Sequence, residues 1–157
     1  MDAVAAAAGV GKGTVFRRFG DRAGLMAELI SDYMRDFQDE FLTGPPPLGP
    51  GAPPAERLVA FTTALISLQR EHLPIALASQ LRAEDAPAGA YGALRLHATT
   101  LIRGIDPALN ADIIALMILG AISPPVLNQL DADTDAIAAS LTELLRGITG
   151  IGRRHSG

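Results

Sequence analysis

Between Thr43 and Pro54 the chain reads TGPPPLGPGAPP, with five prolines in residues 43–53. Proline has no backbone N–H to donate and its ring clashes with the preceding turn, so neither a helix nor a central strand can run through this stretch. The segment splits the 157 residues into a short N-terminal part, 1–42, and a longer part from residue 54 on. On both sides the apolar residues recur at helical spacing. Before the break the stripe is Met26, Ile30, Tyr33, Phe37 and Phe41; after it, Leu58, Phe61, Leu65 and Leu68. Alanine and leucine dominate the composition, which favours helix over strand. The fold class expected is all-α.

Local punctuation sets the expected helix ends. A short alanine-rich helix covers Asp2 to Ala8 and stops at Gly9; a second runs from Lys12 to Phe19. Asp21 is an N-cap for a third, longer helix through Leu42. Helices follow over 54–72, over 74–84 with Pro74 in the first turn and Leu77 and Leu81 along it, and over 90–103 after the break Ala86-Pro87-Ala88-Gly89. Asp106-Pro107 reads as a cap and first-turn proline for a helix through Ala121, which Ser123-Pro124-Pro125 ends. Asp133-Thr134 caps a last helix with the stripe Ile137, Leu141, Leu144, Leu145 and Ile148, followed by a frayed tail, GRRHSG.

Charge is divided unevenly. The net charge is −4, but residues 1–22 carry Lys12, Arg17, Arg18 and Arg22 against Asp2 and Asp21, whereas residues 23–150 carry seven arginines against fifteen acids. An acidic body repels polyanions, so any nucleic acid must meet the basic head. There is no cysteine, which rules out disulfides and thiolate metal sites. The N-terminal residues lack the pattern of a signal peptide, and the longest apolar run, Ile113 to Ile122, is about half of the ~20 residues that span a bilayer. The expectation is a cytoplasmic protein with no membrane segment.

The stretch GVGKGT, Gly9 to Thr14, admits two uses of the same glycines. One is a phosphate-binding loop of the adenylate-kinase kind, G-x-P-G-x-G-K-G-T, matched at Gly9, Gly11, Lys12, Gly13 and Thr14. That loop must follow a buried strand. Here Ala6 and Ala8 stand where glycine and proline belong, MDAVAAAA has the wrong composition for a strand, and no βα alternation follows. The other use is a helix-turn-helix, two short helices joined by a glycine turn, of which the second enters the major groove. Ala5 and Ala8 let the helices approach, Val10, Val15 and Phe19 make the inner face, and Lys12, Arg17 and Arg18 are left outside.

The pattern V-A-x-x-A-G-V-x-K-G-T-x-F-x-x-F-x-x-[RK]-x-x-L resembles the DNA-binding signature of the TetR family of transcriptional regulators. The chain matches it at Val4, Ala5, Ala8, Gly9, Val10, Lys12, Gly13, Thr14, Phe16, Phe19, Arg22 and Leu25. The resemblance implies that Lys12, Gly13 and Arg17 face base edges, while Thr14, Phe16, Arg18 and Arg22 lie on the phosphate backbone. Gly11 stands where the family usually has a serine cap, and Phe16 where it usually has tyrosine. The family has a further helix before the position of Ala3, so the resemblance also implies a DNA-binding domain that this chain carries without its first helix.

The resemblance makes residues 1–42 a partial DNA-binding domain with its connecting helix, 43–53 a loop, and 54–157 a helical domain for ligand binding and dimerisation. The function it implies is a DNA-binding regulator, a repressor released by a hydrophobic effector and not an enzyme. The alternatives are a ligand-binding or dimerisation module without DNA binding, or a nucleotide-binding kinase-like protein. Partners would be a palindromic double-stranded operator, the effector and a second copy of the chain. The expected effector site lies among Phe61, Leu65, Leu77, Leu94, His97 and Leu101, apolar walls with a polar group or two. His72 and His97 have no second histidine or carboxylate at helical spacing for a metal, and no nucleophile–base–orienter set stands out, so no cofactor or catalytic residue is expected. The helix around Ile113 is apolar on nearly every side and so needs burial on both faces. We assign Ile114 and Ile118, with Leu141 and Leu145 of the last helix, to the dimer interface.

Overall fold

The computed structural model describes residues 1–80, 88–130 and 132–149. The expected continuation through Leu81, the break at Ala86-Pro87 and the tail from Gly152 lie outside them. Among the described residues the chain is all helical: α1 (Asp2–Ala7), α2 (Lys12–Phe19), α3 (Arg22–Thr43), α4 (Pro54–Glu71), α5 (Leu73–Gln80), α6 (Ala88–Ile105), α7 (Ala111–Ala121), α8 (Pro124–Gln129) and α9 (Thr134–Thr149).

The head is built by local rules. Gly9 takes φ +65°, so that its N–H donates to Ala6 and the N–H of Val10 donates to Ala5, closing α1 with two of its own carbonyls. Asp21 Oδ1 accepts from the Gly24 N–H at 2.9 Å and starts α3. Gly24 has a second role. A Cβ there would lie 2.0 Å from the Phe19 carbonyl oxygen, so only glycine lets the first turn of α3 come so close to the end of α2. Ala5, Val15 and Leu25 are the buried apolar residues of this head.

The body begins in the second half of α3. Phe37, Phe41 and Phe61 meet at ring-centroid distances of 5.4–5.6 Å, and around them Leu58, Leu65, Ile66, Leu94, Leu101, Ile102 and Leu127 complete one core. α4 is the central helix, packed against α6 and α9, while α7 packs on α6. The proline segment crosses outside this core, and Arg57 ties it down by donating to the carbonyls of Phe41 and Leu48.

Three expected boundaries are corrected. The helix placed at Asp106-Pro107 starts at Ala111: Asp106 Oδ1 accepts from Ala108 to make a turn, and Asn110 Oδ1 accepts from Ile113 as the true cap. Ser123-Pro124-Pro125 ends one helix but also opens α8, with both prolines in its first turn, where their missing N–H groups cost nothing. Ala88 and Gly89, read as part of a break, already belong to α6.

Candidate nucleic-acid interface

α2 has eight residues and two opposite faces. At about 100° per residue, Val15 and Phe19 point one way, against the head's small core. Gly13, Arg17 and Thr14 point the other way and are exposed. Phe16 lies on one flank of this outer row and Arg18 on the other, while Lys12, also exposed, stands at the first turn close in angle to Phe19. Arg22, also exposed, begins α3 just beyond the turn. A cation in the first turn opposes the helix dipole, by roughly 0.3–1 kcal/mol.

The contacts hold this surface open rather than using it up. Arg17 Nε donates to the Gly13 carbonyl at 3.2 Å, which aligns its guanidinium along the outer row. Arg18 lies over the Phe19 ring, 5.4 Å from its centroid, and Lys12 stands 5.9 Å from that of Phe16. Phe16 itself remains 42% exposed, an apolar ring among four cations. The seven residues expected at DNA, Lys12, Gly13, Thr14, Phe16, Arg17, Arg18 and Arg22, are all exposed, on α2 and at the start of α3.

One residue of this surface escaped the sequence reading. Asp2 Oδ1 lies 2.7 Å from Lys12 Nζ, joining the first turns of α1 and α2. The hydrogen bond from Lys12, and then its charge, hold the Asp2 carboxyl below its ordinary range. Ten residues separate the two, so no local spacing could announce the pair. Both partners of the pair are exposed.

The other expected sites are arranged differently. Phe61, Leu65, Leu94, His97 and Leu101 are all buried, and all but His97 belong to the common apolar core, while Leu77 is half-buried on α5. The His97 ring sits 4.2 Å from Phe41 and 5.0 Å from Phe61. Its Nε2 is buried with no hydrogen-bond partner among the described residues. Burial, and secondly the charge of Arg57, push its pKa down to about 4, so the ring is neutral at ordinary pH. These residues fill the core. A cavity of about 340 Å³ opens instead between α3 and α4, and none of the six lines it.

Of the residues assigned to the dimer interface, Ile118, Leu141 and Leu145 are buried at 8% exposure or less, and Ile114 is half-buried against the same core. The face of α7 turned outward is Ile113, Leu116, Met117 and Gly120, with Met117 68% exposed. Asp112 apart, the helix is apolar on both faces, and α6 and the core cover the side with Ile114 and Ile118.

A helix pair turned at a left-handed glycine, with its cations exposed, has the form of a helix-turn-helix. Residues 1–29 match the family model described as bacterial regulatory proteins, tetR family. This N-terminal segment is thus similar to the DNA-binding segment of TetR-type transcriptional regulators. No curated protein matches the chain. Among the described residues no helix is long and apolar enough to cross a membrane.

Proposed function

We propose that the protein is a cytoplasmic repressor that binds a palindromic operator as a homodimer and is released by a small effector. The observation that carries this reading is the outer row of α2, where Gly13, Arg17 and Thr14 stand exposed, with Lys12, Arg18 and Arg22 exposed beside them. Gly13 lets the backbone approach a groove edge, Lys12 and Arg17 reach bases, and Arg18 and Arg22 neutralise phosphates. The exposed stripe Ile113, Leu116 and Met117 supports association of two copies, which sets the spacing of two recognition helices. Effector binding would act through α3, which runs from the head into the body; a coupling of roughly 1–3 kcal/mol gives 5–150-fold release.

The test is fluorescence anisotropy with double-stranded fragments from upstream of the coding sequence, over a range of salt. Sequence-dependent binding that weakens steeply with salt is expected. Binding equal on scrambled DNA, or none at low salt, would refute the DNA reading. In light scattering, Ile113→Glu with Met117→Lys should convert a dimer to a monomer with helical circular dichroism kept. A wild-type monomer at micromolar concentration would remove the dimer.

A further inference from the structure

The cavity between α3 and α4 has a chemistry of its own. Its walls are two stripes at one spacing: Tyr33, Asp36, Phe37 and Glu40 from α3, and Ala64, Ser67, Leu68 and Glu71 from α4. Each stripe runs i, i+3, i+4, i+7, so each is one continuous helix face. Two ring contacts brace α3 against α4 and its end: Phe37 stacks on Phe61 at 5.6 Å, and Tyr33 stacks on His72 at 3.8 Å with an interplanar angle of 7°. Between these props α4 presents Ala64 and Ser67, which are too small to fill the gap, and the space of about 340 Å³ remains.

The floor is apolar, with Phe37 buried and Leu68 partly buried against the core. The rim is anionic. Asp36, Glu40 and Glu71 all line the groove, and none of their carboxylates has an ion-pair or hydrogen-bond partner among the described residues. Other acids of the body are engaged: Asp112 holds Arg103 at 2.8 Å and Arg95 at 3.5 Å, and Asp32 holds Arg35 at 2.7 Å. Three unpaired carboxylates around one apolar slot, in a body whose net charge is already negative, focus a negative potential there. The Tyr33 and Phe37 rings add faces suited to a cation.

We propose that this groove binds a small organic cation with an apolar body, such as a quaternary ammonium or aryl-amine compound. The apolar part would lie on Phe37, Ala64 and Leu68, and the cationic end among Asp36, Glu40 and Glu71. Because α3 carries the groove at one end and the head at the other, a bound cation bears on the helix that orients α2. Use of the site as a switch rests on the DNA-binding reading above; binding of the cation does not.

Calorimetry on the whole chain without DNA tests the site, with benzyltrimethylammonium as probe and benzyl alcohol and benzenesulfonate as neutral and anionic controls. The cation is expected to bind about tenfold more tightly than the alcohol, the sum of three partly screened charge contacts, and to weaken as salt rises. Asp36→Asn with Glu40→Gln and Glu71→Gln should bring its affinity down to that of the alcohol, with helical circular dichroism unchanged. Ser67→Phe, an exposed substitution that fills the gap, should abolish binding of both. Equal affinity for all three probes, cation binding unaffected by either variant, or no heat with the cation at millimolar concentration would overturn the proposal. Since DNA takes no part, a failure of the DNA reading leaves this result intact, and the converse holds as well.

Discussion

The head and the body solve opposite problems with the same secondary structure. The head, α1, α2 and the start of α3, buries Ala5, Val15 and Leu25 and leaves Val4, Val10 and Phe16 at least 40% exposed. Its shape comes from backbone devices, a left-handed Gly9, an Asp21 cap and a close approach at Gly24. The body draws its shape from side chains, three phenylalanines and a histidine in mutual ring contact with aliphatics packed round them. The head therefore keeps its cations exposed at the expense of its own stability, and the body supplies the anchor. It follows that core damage should travel in one direction only.

The largest effect tests that asymmetry. Phe61 is wholly buried at the centre of the aromatic cluster. Phe61→Ala should cost about 3–5 kcal/mol of unfolding free energy and lower the melting temperature of the entire protein. Val15→Ala in the head should cost only ~1–2 kcal/mol, reduce DNA binding, and leave the main thermal transition in place. A single transition shifted equally by both variants would mean that head and body fold as one cooperative unit.

Acid separates the two regions next. His97 has a folded-state pKa of about 4 against an ordinary 6.5. The unfolded chain therefore takes up a proton on His97 that the folded chain refuses, and stability falls as pH drops from 6.5 towards 4, by up to ~3 kcal/mol. Below 4 both states are protonated and this loss stops growing. His97→Phe should flatten the slope in that window when unfolding is followed by circular dichroism in urea. The Asp2–Lys12 pair acts in another window. Asp2 is held below its ordinary 3.8, so its contribution is present above that value and is lost as pH falls through the lowered one. A slope between pH 6.5 and 4 that survives in His97→Phe would assign the acid sensitivity elsewhere.

On DNA, roles within the head should separate. Arg17→Ala is expected to cost ~1–3 kcal/mol at one base position and to relax preference there. Arg18→Ala and Arg22→Ala should weaken all sequences alike, each reducing the salt slope by about one. Anisotropy with single-base variants of the operator distinguishes them, and equal loss of specificity from all three would contradict the outer-row geometry.

Legibility in the sequence divides along the same line. The head was legible because its determinants are local: Gly9 as a stop, Asp21 as a cap and the spacing from Val4 to Leu25 are each read within a few residues. The helices of the body were legible from periodicity, but not the neighbours that their faces meet. Ile114 and Ile118 could not be told from Ile113 and Met117 by a helical wheel, since all four are apolar and only α6 decides which pair is covered. The groove was missed for a related reason. Tyr33 and Phe37 were read as core positions of α3, and only the small Ala64 and Ser67 opposite, some thirty residues on, leave a space beside them. Prolines misled twice: Pro107, read as a first-turn proline, lies in the turn before α7, and Pro124-Pro125 closes off α7 and at the same time opens α8.

The smallest expected effect concerns Asp2, and its sign is informative. Asp2 and Lys12 are both exposed, 2.7 Å apart, so the pair adds little to the fold in water. At a phosphate or a base edge the Asp2 carboxylate would compete for the same ammonium and repel the DNA beside it. Asp2→Asn keeps the size and the helix start but removes the charge. It should tighten DNA binding by about threefold at low salt, with the gain fading as salt screens the carboxylate. Lys12→Ala should weaken binding, and in its presence Asp2→Asn should give a smaller gain, because only the repulsion is then relieved. Tightening by the same factor with or without Lys12 would show a general charge effect. Weaker binding in Asp2→Asn alone would mean that the ion pair positions Lys12 for DNA instead of restraining it.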